Sequence, residues 1–241
     1  MKFTEYLKQR KLIIGMIHLK GKTKEMVLDR AKREIDIYLA NGVDAVLVEN
    51  YFGDVSDCEA VLCHLHDSRP DAVYGVNILG DFREAFRLSA EYGAKFIQID
   101  SVCGHLCPEK DARLAEELSD LRGNSQAAVL GGVRFKYQPV KSGRSLEEDL
   151  RLGMERCDSI VVTGEGTGQA TPMDKVREFR RLSGDFPLIV GAGVTADTVA
   201  ESLDICDGVI VGSWFKHDHN AYEDVCPEYV RTLVKCARTA R

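Results

Sequence analysis

The chain lacks three things: a run of lysines and arginines, an apolar stretch near the ~20 residues that cross a bilayer, and a charged-then-apolar leader. Met1 to Lys11 is polar and charged instead. With a formal charge of −6 and a pI near 5.6, the first absence argues against nucleic acid or an anionic membrane as the main partner. Any anion must then be held at a local site. The other two predict no membrane span and a cytoplasmic protein. There is also no low-complexity segment, linker or break in composition. The 241 residues therefore read as one domain, 1–241, close to the ~250 of a single barrel. Cysteine is not scarce, at eight, but the cysteines are scattered through a chain whose size needs no covalent staples, so reduced thiols are expected.

What the chain has is alternation. Short β-branched apolar runs at Leu12–His18, Ala45–Glu49, Tyr74–Ile78, Phe96–Asp100, Val129–Lys136, Ile160–Thr163, Pro187–Val190 and Gly208–Val211 read as strands. Amphipathic helical patterns separate them, from Lys24–Ala40 to a last one at Pro227–Thr239. Strict βα alternation implies a parallel sheet covered by helices. An open doubly wound sheet shares that alternation, but eight units with glycine-rich loops last in order favour a closed (β/α)8 TIM barrel. Phe3–Lys8 is expected to add a short helix below it.

The last two strands end in glycines. Pro187-Leu188-Ile189-Val190-Gly191-Ala192-Gly193-Val194 and Asp207-Gly208-Val209-Ile210-Val211-Gly212-Ser213 place them at strand C-termini, where backbone N–H groups approach an anion. In a (β/α)8 barrel the loops after strands seven and eight form the usual phosphate site. Gly191, Gly193, Gly212 and Ser213 are therefore expected to bind phosphate. Either glycine pair alone is also compatible with a simple turn. A third cluster, Thr163-Gly164-Glu165-Gly166-Thr167-Gly168, reads as a hinge-rich loop that closes over the ligand, with a plain βα connection as the alternative. Gly166 and Gly168 join the phosphate set, and Thr163 and Glu165 are assigned to substrate.

Residues alternate between the helix-facing side and the interior of a barrel strand. With Ile97 and Ile99 outward, Gln98 and Asp100 point in; with Val133 and Phe135 outward, Arg134 and Lys136 point in. His18, Glu49, Asn77 and Thr163 end their strands on the same face. Buried charge there is tolerated only when paired or used. One reading is a structural ion-pair network, for example Arg134 with Asp100 or Glu49. The other is catalysis. Glu49 is then the general acid or base with Asp100 as partner, and Lys136 is a cation beside a developing oxyanion, a Schiff-base former or a neutraliser, the electrostatic role being favoured. His18 transfers protons or is simply hydrogen-bonded, while Asn77 and Arg134 contact substrate.

Cys103-Gly104-His105-Leu106-Cys107 offers metal-type ligands beside Asp100, but the spacing matches no zinc pattern. Cys58, Cys63, His64 and His66 fall on different sides of one helix, and His217-Asp218-His219 reads as loop. No metal and no cofactor is expected.

Ile14-Gly15-Met16-Ile17-His18-Leu19, Val48-Glu49-Asn50-Tyr51-Phe52-Gly53-Asp54, the Thr163–Gly168 loop and the two final glycine runs together resemble the BtpA/SgcQ family over almost the whole chain. The resemblance implies a ribulose-phosphate-binding type of barrel. It implies no single reaction, because the family name comes from a factor linked to photosystem I biogenesis whereas SgcQ-like members resemble carbohydrate enzymes. Two departures are visible: Leu19–Thr23 is short where the family has a longer proline-rich stretch, and Tyr137 stands where a histidine is expected. The resulting expectation is a barrel enzyme acting on a small phosphorylated metabolite, a sugar phosphate, by isomerase, epimerase or lyase chemistry. The rival is a non-catalytic assembly or regulatory factor on the same barrel. A homo-oligomer is expected, as barrels often dimerise.

Overall fold

The computed structural model describes residues 3–239; Met1, Lys2, Ala240 and Arg241 of the expected 1–241 domain lie outside the described residues. Eight parallel strands close into a barrel: β1 (Leu12–Ile17), β2 (Ala45–Glu49), β3 (Tyr74–Asn77), β4 (Phe96–Cys103), β5 (Ala128–Val133), β6 (Ser159–Val162), β7 (Leu188–Val190) and β8 (Gly208–Val211). Closure is direct, since β8 pairs with β1 from Leu12 opposite Gly208 to Gly15 opposite Val211. The open-sheet alternative is thereby removed. α1 (Phe3–Gln9) precedes the barrel. The outer ring is α2 (Lys24–Ala40), α3 (Val55–Ser68), α4 (Phe82–Tyr92), α5 (Pro108–Gly123), α6 (Leu146–Arg156), α7 (Met173–Ser183), α8 (Val199–Ile205) and α9 (Pro227–Thr239).

Local chemistry starts these helices. The Asp54 carboxylate accepts from the Asp57 N–H while Asp57 reaches back to the Asp54 N–H, and Ser145 and Glu148 do the same for α6. The core then forms in two layers. Helix-facing Ile13, Ile17, Val46, Val48, Ile97, Val129, Ile160 and Val209 pack under the outer ring. Inside the barrel, Leu12, Ile14, Met16, Ala45, Leu47, Phe96, Leu130, Val161, Ile189 and Ile210 form a second cluster. It is closed at the N-terminal end of the strands by Phe3 of α1, whose ring stacks on Phe96 at 4.3 Å. Following the interior set up its strands leads from Ile14 and Met16 to His18, from Leu47 to Glu49 and from Phe96 to Gln98 and Asp100. The inward parity read from sequence holds on these three strands.

It fails on the fifth. β5 ends at Val133 rather than Lys136, and Arg134 takes a left-handed backbone with φ +48°. That single residue resets the alternation. Phe135, expected to face the helices, joins the interior cluster, while Arg134, expected to point in, turns outward. The neighbouring β4 is longer than expected and its register with β5 shifts between Ile99 and Cys103. Gly132 permits this crossing, because a Cβ there would sit 1.9 Å from the Asp100 carbonyl oxygen.

Candidate active site

At the C-terminal ends of the strands lies a cavity of about 530 Å³. All four residues expected to be catalytic line it: His18 after β1, Glu49 ending β2, Asp100 in β4 and Lys136 beyond β5. Glu49 and Asp100 are bridged by one amide. Asn77 Nδ2 donates to Glu49 Oε1 at 2.8 Å and to Asp100 Oδ1 at 3.2 Å, and Gln98 Nε2 also donates to Asp100 Oδ1 at 3.2 Å. Asn77 thus holds the two acids rather than lining the cavity itself.

The electrostatics follow from this packing. Burial, reinforced by the nearby Asp100 charge, pushes the Glu49 carboxyl up to about 7, against the opposing pull of Lys136 and the Asn77 hydrogen bond. Burial, together with the positive fields of Lys216 and Lys136, pushes His18 down to about 3. Its imidazole is therefore neutral near pH 7. The His18 Nε2 to Glu49 Oε2 approach of 3.9 Å is a contact between a neutral ring and a carboxyl near its midpoint, not an ion pair. A carboxyl poised near neutrality is suited to proton transfer, and a neutral imidazole can donate one hydrogen bond without adding charge.

The glycine-lined end of the cavity comes from β7 and β8. Gly191, Gly193, Gly212, Ser213 and, from the β6 loop, Gly168 all line it. Gly193 has φ +67°, and a Cβ there would sit 2.1 Å from the Gln169 carbonyl oxygen, so only glycine lets the β6 and β7 loops touch. Gly166 does not line the cavity; a Cβ there would come within 3.0 Å of the Tyr137 hydroxyl and 3.2 Å of the Gln169 side chain.

The β6 loop also reaches the opposite side of the mouth. The Tyr51 hydroxyl, from the loop after β2, lies 3.4 Å from Thr167 Oγ1. Strands β2 and β6 are diametrically opposed in the ring, so this contact bridges the opening. Lys136 Nζ donates to Thr167 Oγ1 at 3.3 Å, and the Thr167 N–H donates to the Tyr137 hydroxyl at 2.7 Å.

Three residues assigned to substrate sit elsewhere. Arg134 Nε donates to Asp149 Oδ2 of α6 at 2.9 Å, and its guanidinium also reaches the Arg144 carbonyl at 2.7 Å. It pairs with neither Asp100 nor Glu49. Thr163 is buried and its hydroxyl accepts the Lys136 N–H at 3.0 Å, which makes it a brace for the Lys136 backbone. Glu165 is exposed in a groove outside the barrel mouth, beside Lys175. Cys103, from the metal-like cluster, faces Asp149 and Arg144 outside the cavity, and the eight cysteines are free thiols. Among the described residues, no group of three or more His, Cys, Asp and Glu side chains is arranged to hold a metal.

Among the lining residues to which sequence reasoning gave no role are Tyr51, Tyr137, Trp214 and His219. Tyr137 follows the assigned Lys136 directly, and Tyr51 lies two residues beyond Glu49. The last two come from a segment between Val211 and Pro227 that is too long for a turn, a length signal that could have found them.

The sequence model of the BtpA family matches residues 9–239. The chain belongs to the BtpA family. An uncharacterised protein of Thermococcus kodakarensis is 31% identical, the match covering 97% of each chain. The photosystem I biogenesis protein BtpA of Synechocystis is 25% identical over 92% of this chain and 86% of its own. Among solved structures, thiamine phosphate pyrophosphorylase of Pyrococcus furiosus superposes with a TM-score of 0.64 at 14% identity, covering 98% of both chains. This last likeness is one of fold alone. The BtpA-family barrel here therefore combines a glycine-lined pocket end with buried Glu49 beside half-buried Asp100, and none of its described helices is long and apolar enough to cross a membrane.

Proposed function

We propose that this BtpA-family barrel is an enzyme that binds a small phosphorylated metabolite, a sugar phosphate, and transfers a proton beside its carbonyl. The observation that carries this reading is the buried Glu49 carboxyl, raised to about 7, in one cavity with the glycine-lined ends of β7 and β8. Phosphate at the Gly191, Gly193, Gly212 and Ser213 end anchors the ligand. Glu49 removes the proton next to the carbonyl and returns it to a neighbouring atom. Lys136 leaves Thr167 to offset the oxyanion that develops, and neutral His18 donates a hydrogen bond to the same oxygen. Asn77 keeps Glu49 and Asp100 in register, and Asp100 sustains the basicity of Glu49 by its charge. The β6 loop acts as the cover that excludes water. The fold of thiamine phosphate pyrophosphorylase supports the phosphate reading by analogy of architecture.

The Synechocystis relative's name assigns that protein to photosystem I biogenesis. An assembly role needs no under-neutralised acid inside the barrel, which favours the enzyme for this chain. Thermal unfolding against triose, pentose and hexose phosphates, with the free sugars and inorganic phosphate as controls, tests the proposal. A ligand at ~100 times its Kd adds about 2.7 kcal/mol. Stabilisation confined to phosphorylated compounds and absent in Gly212→Glu is the expected result. No shift with any compound would transfer the weight to the assembly role.

A further inference from the structure

The segment after β8 forms a braced hairpin. Lys216 and Val225 make an antiparallel bridge, the His217 N–H donates to the Asp224 carbonyl at 2.9 Å, and the Cys226 N–H donates to the Phe215 carbonyl at 2.7 Å. Its base is tied to α2 by ion pairs among buried Lys216, Glu34 and Arg30, with exposed Asp224 at their edge. Lys216 Nζ, almost completely buried, lies 3.0 Å from Glu34 Oε1, and Arg30 Nε contacts Glu34 at 3.0 Å and Asp224 at 3.1 Å. The tip is strained. Asp218 and His219 are consecutive non-glycine residues with φ +53° and +52°, a backbone that persists only where its surroundings over-determine it.

What this strain presents is an imidazole on the cavity wall. His219 lines the cavity with its ring stacked on Trp214, centroids 3.9 Å apart and planes within 5°. Its Nδ1 lies 3.0 Å from the Trp214 carbonyl oxygen, which can only accept, so Nδ1 carries the proton and Nε2 is the ring's remaining polar atom. The glycine-lined end of the cavity has few charges of its own. Among the described residues that line the cavity, the basic side chains are His18, Lys136 and His219. His18 is held neutral, and Lys136 is hydrogen-bonded to Thr167 of the β6 loop. Trp214 follows Gly212 and Ser213 directly in the chain, and all three line the same cavity as its stacking partner His219.

We propose that His219 is a phosphate-binding residue that donates from Nε2 to a phosphoryl oxygen and supplies the positive charge that the β7 and β8 loops lack. This rests on the phosphate reading of the cavity given above. A bound dianion favours the protonated ring, and the hydrogen bond from Nδ1 to the Trp214 carbonyl orients the ring before ligand arrives. Asp218 and His219 hold their left-handed conformation to keep that orientation.

The experiment measures Kd for ribose 5-phosphate, inorganic phosphate and free ribose in wild type, His219→Ala, His219→Phe and Gly212→Glu. Trp214 is the only tryptophan, so its fluorescence reports both binding and the integrity of the stack. His219→Phe preserves a ring to stack on Trp214 and removes the donor. The expected result is about tenfold weaker binding of both phosphate compounds in His219→Ala and His219→Phe, with binding of free ribose unchanged. If Gly212→Glu abolishes binding while both His219 variants stay within twofold of wild type, the phosphate site stands and the role of His219 is overturned. If His219→Phe binds as wild type while His219→Ala does not, the ring is a packing element, and the proposal is again overturned. Absence of phosphate binding in wild type would overturn both the site reading and the role of His219.

Discussion

Two acid pairs among the described residues, Asp111 with Asp149 and Glu49 with half-buried Asp100, differ in their partners. Outside the barrel, Asp149 accepts from Arg134 Nε and Arg144 Nε at 2.9 Å each and from the Ser142 hydroxyl at 2.9 Å. Asp111 beside it accepts from Arg144 at 2.8 Å and from Arg156 at 2.7 and 3.0 Å. Burial opposes the charge on Asp111, but the Arg156 and Arg144 hydrogen bonds outweigh it and hold the carboxyl below its ordinary range. Inside the mouth, Glu49 and Asp100 share one neutral amide, and the nearest cation, Lys136, is hydrogen-bonded to Thr167 instead. Glu49 rises to about 7. A carboxylate out of water is held ionised where arginines saturate it and is driven toward neutrality where they are withheld.

Removing one member of each cluster should have opposite effects on stability. The largest change is expected for Asp149→Ala, which leaves Arg134 and Arg144 without their carboxylate and should cost about 3–5 kcal/mol in urea unfolding. Glu49→Gln should instead stabilise. Glu49 titrates near its ordinary 4.5 when unfolded and at about 7 when folded. Below 4.5 it is protonated in both states and carries no penalty. Between 4.5 and 7 the unfolded chain releases the proton first and stability falls as pH rises; above 7 the penalty is complete, at about 3 kcal/mol. The gain from Glu49→Gln should therefore be full at pH 8 and vanish below 4.5, while turnover is lost. A gain independent of pH would locate the effect in packing.

Smaller changes sharpen the comparison. Lys136→Met removes the cation that draws Glu49 down, so the Glu49 midpoint should move above 7 in an NMR titration, with turnover falling about 100-fold. A midpoint that stays in place would mean Lys136 does not act on Glu49. Thr167→Val deletes the hydroxyl that joins Tyr51 and Lys136 across the mouth. It should cost about 1 kcal/mol or less of stability and speed hydrogen exchange in the β6 loop without touching the outer cluster.

How far the sequence led depends on whether the backbone stays regular. Strand order, the closed barrel and the inward positions of His18, Glu49, Gln98 and Asp100 were legible because β-branched runs with period-2 alternation continue unbroken to those residues. Arg134 was misplaced because one left-handed residue, invisible in hydrophobic pattern, turned its side chain toward Asp149 and Phe135 inward. Thr163 and Asn77 were found as inward polar residues, but their bonds to Lys136 and to Glu49 and Asp100 were not, since sequence shows that a polar residue ends a strand and not which neighbour it bonds. His219 was dismissed as loop because its place on the cavity depends on a hairpin braced by Lys216 and Glu34, residues 182 positions apart.

The most direct test of the central claim is a 13C NMR titration of the Glu49 side-chain carboxyl in the folded protein, assigned by its loss in Glu49→Gln. A midpoint near 7 is predicted, and it should rise in Lys136→Met. A midpoint at or below 4.5 would contradict the account, because Glu49 would then be as well neutralised as the acids outside the barrel.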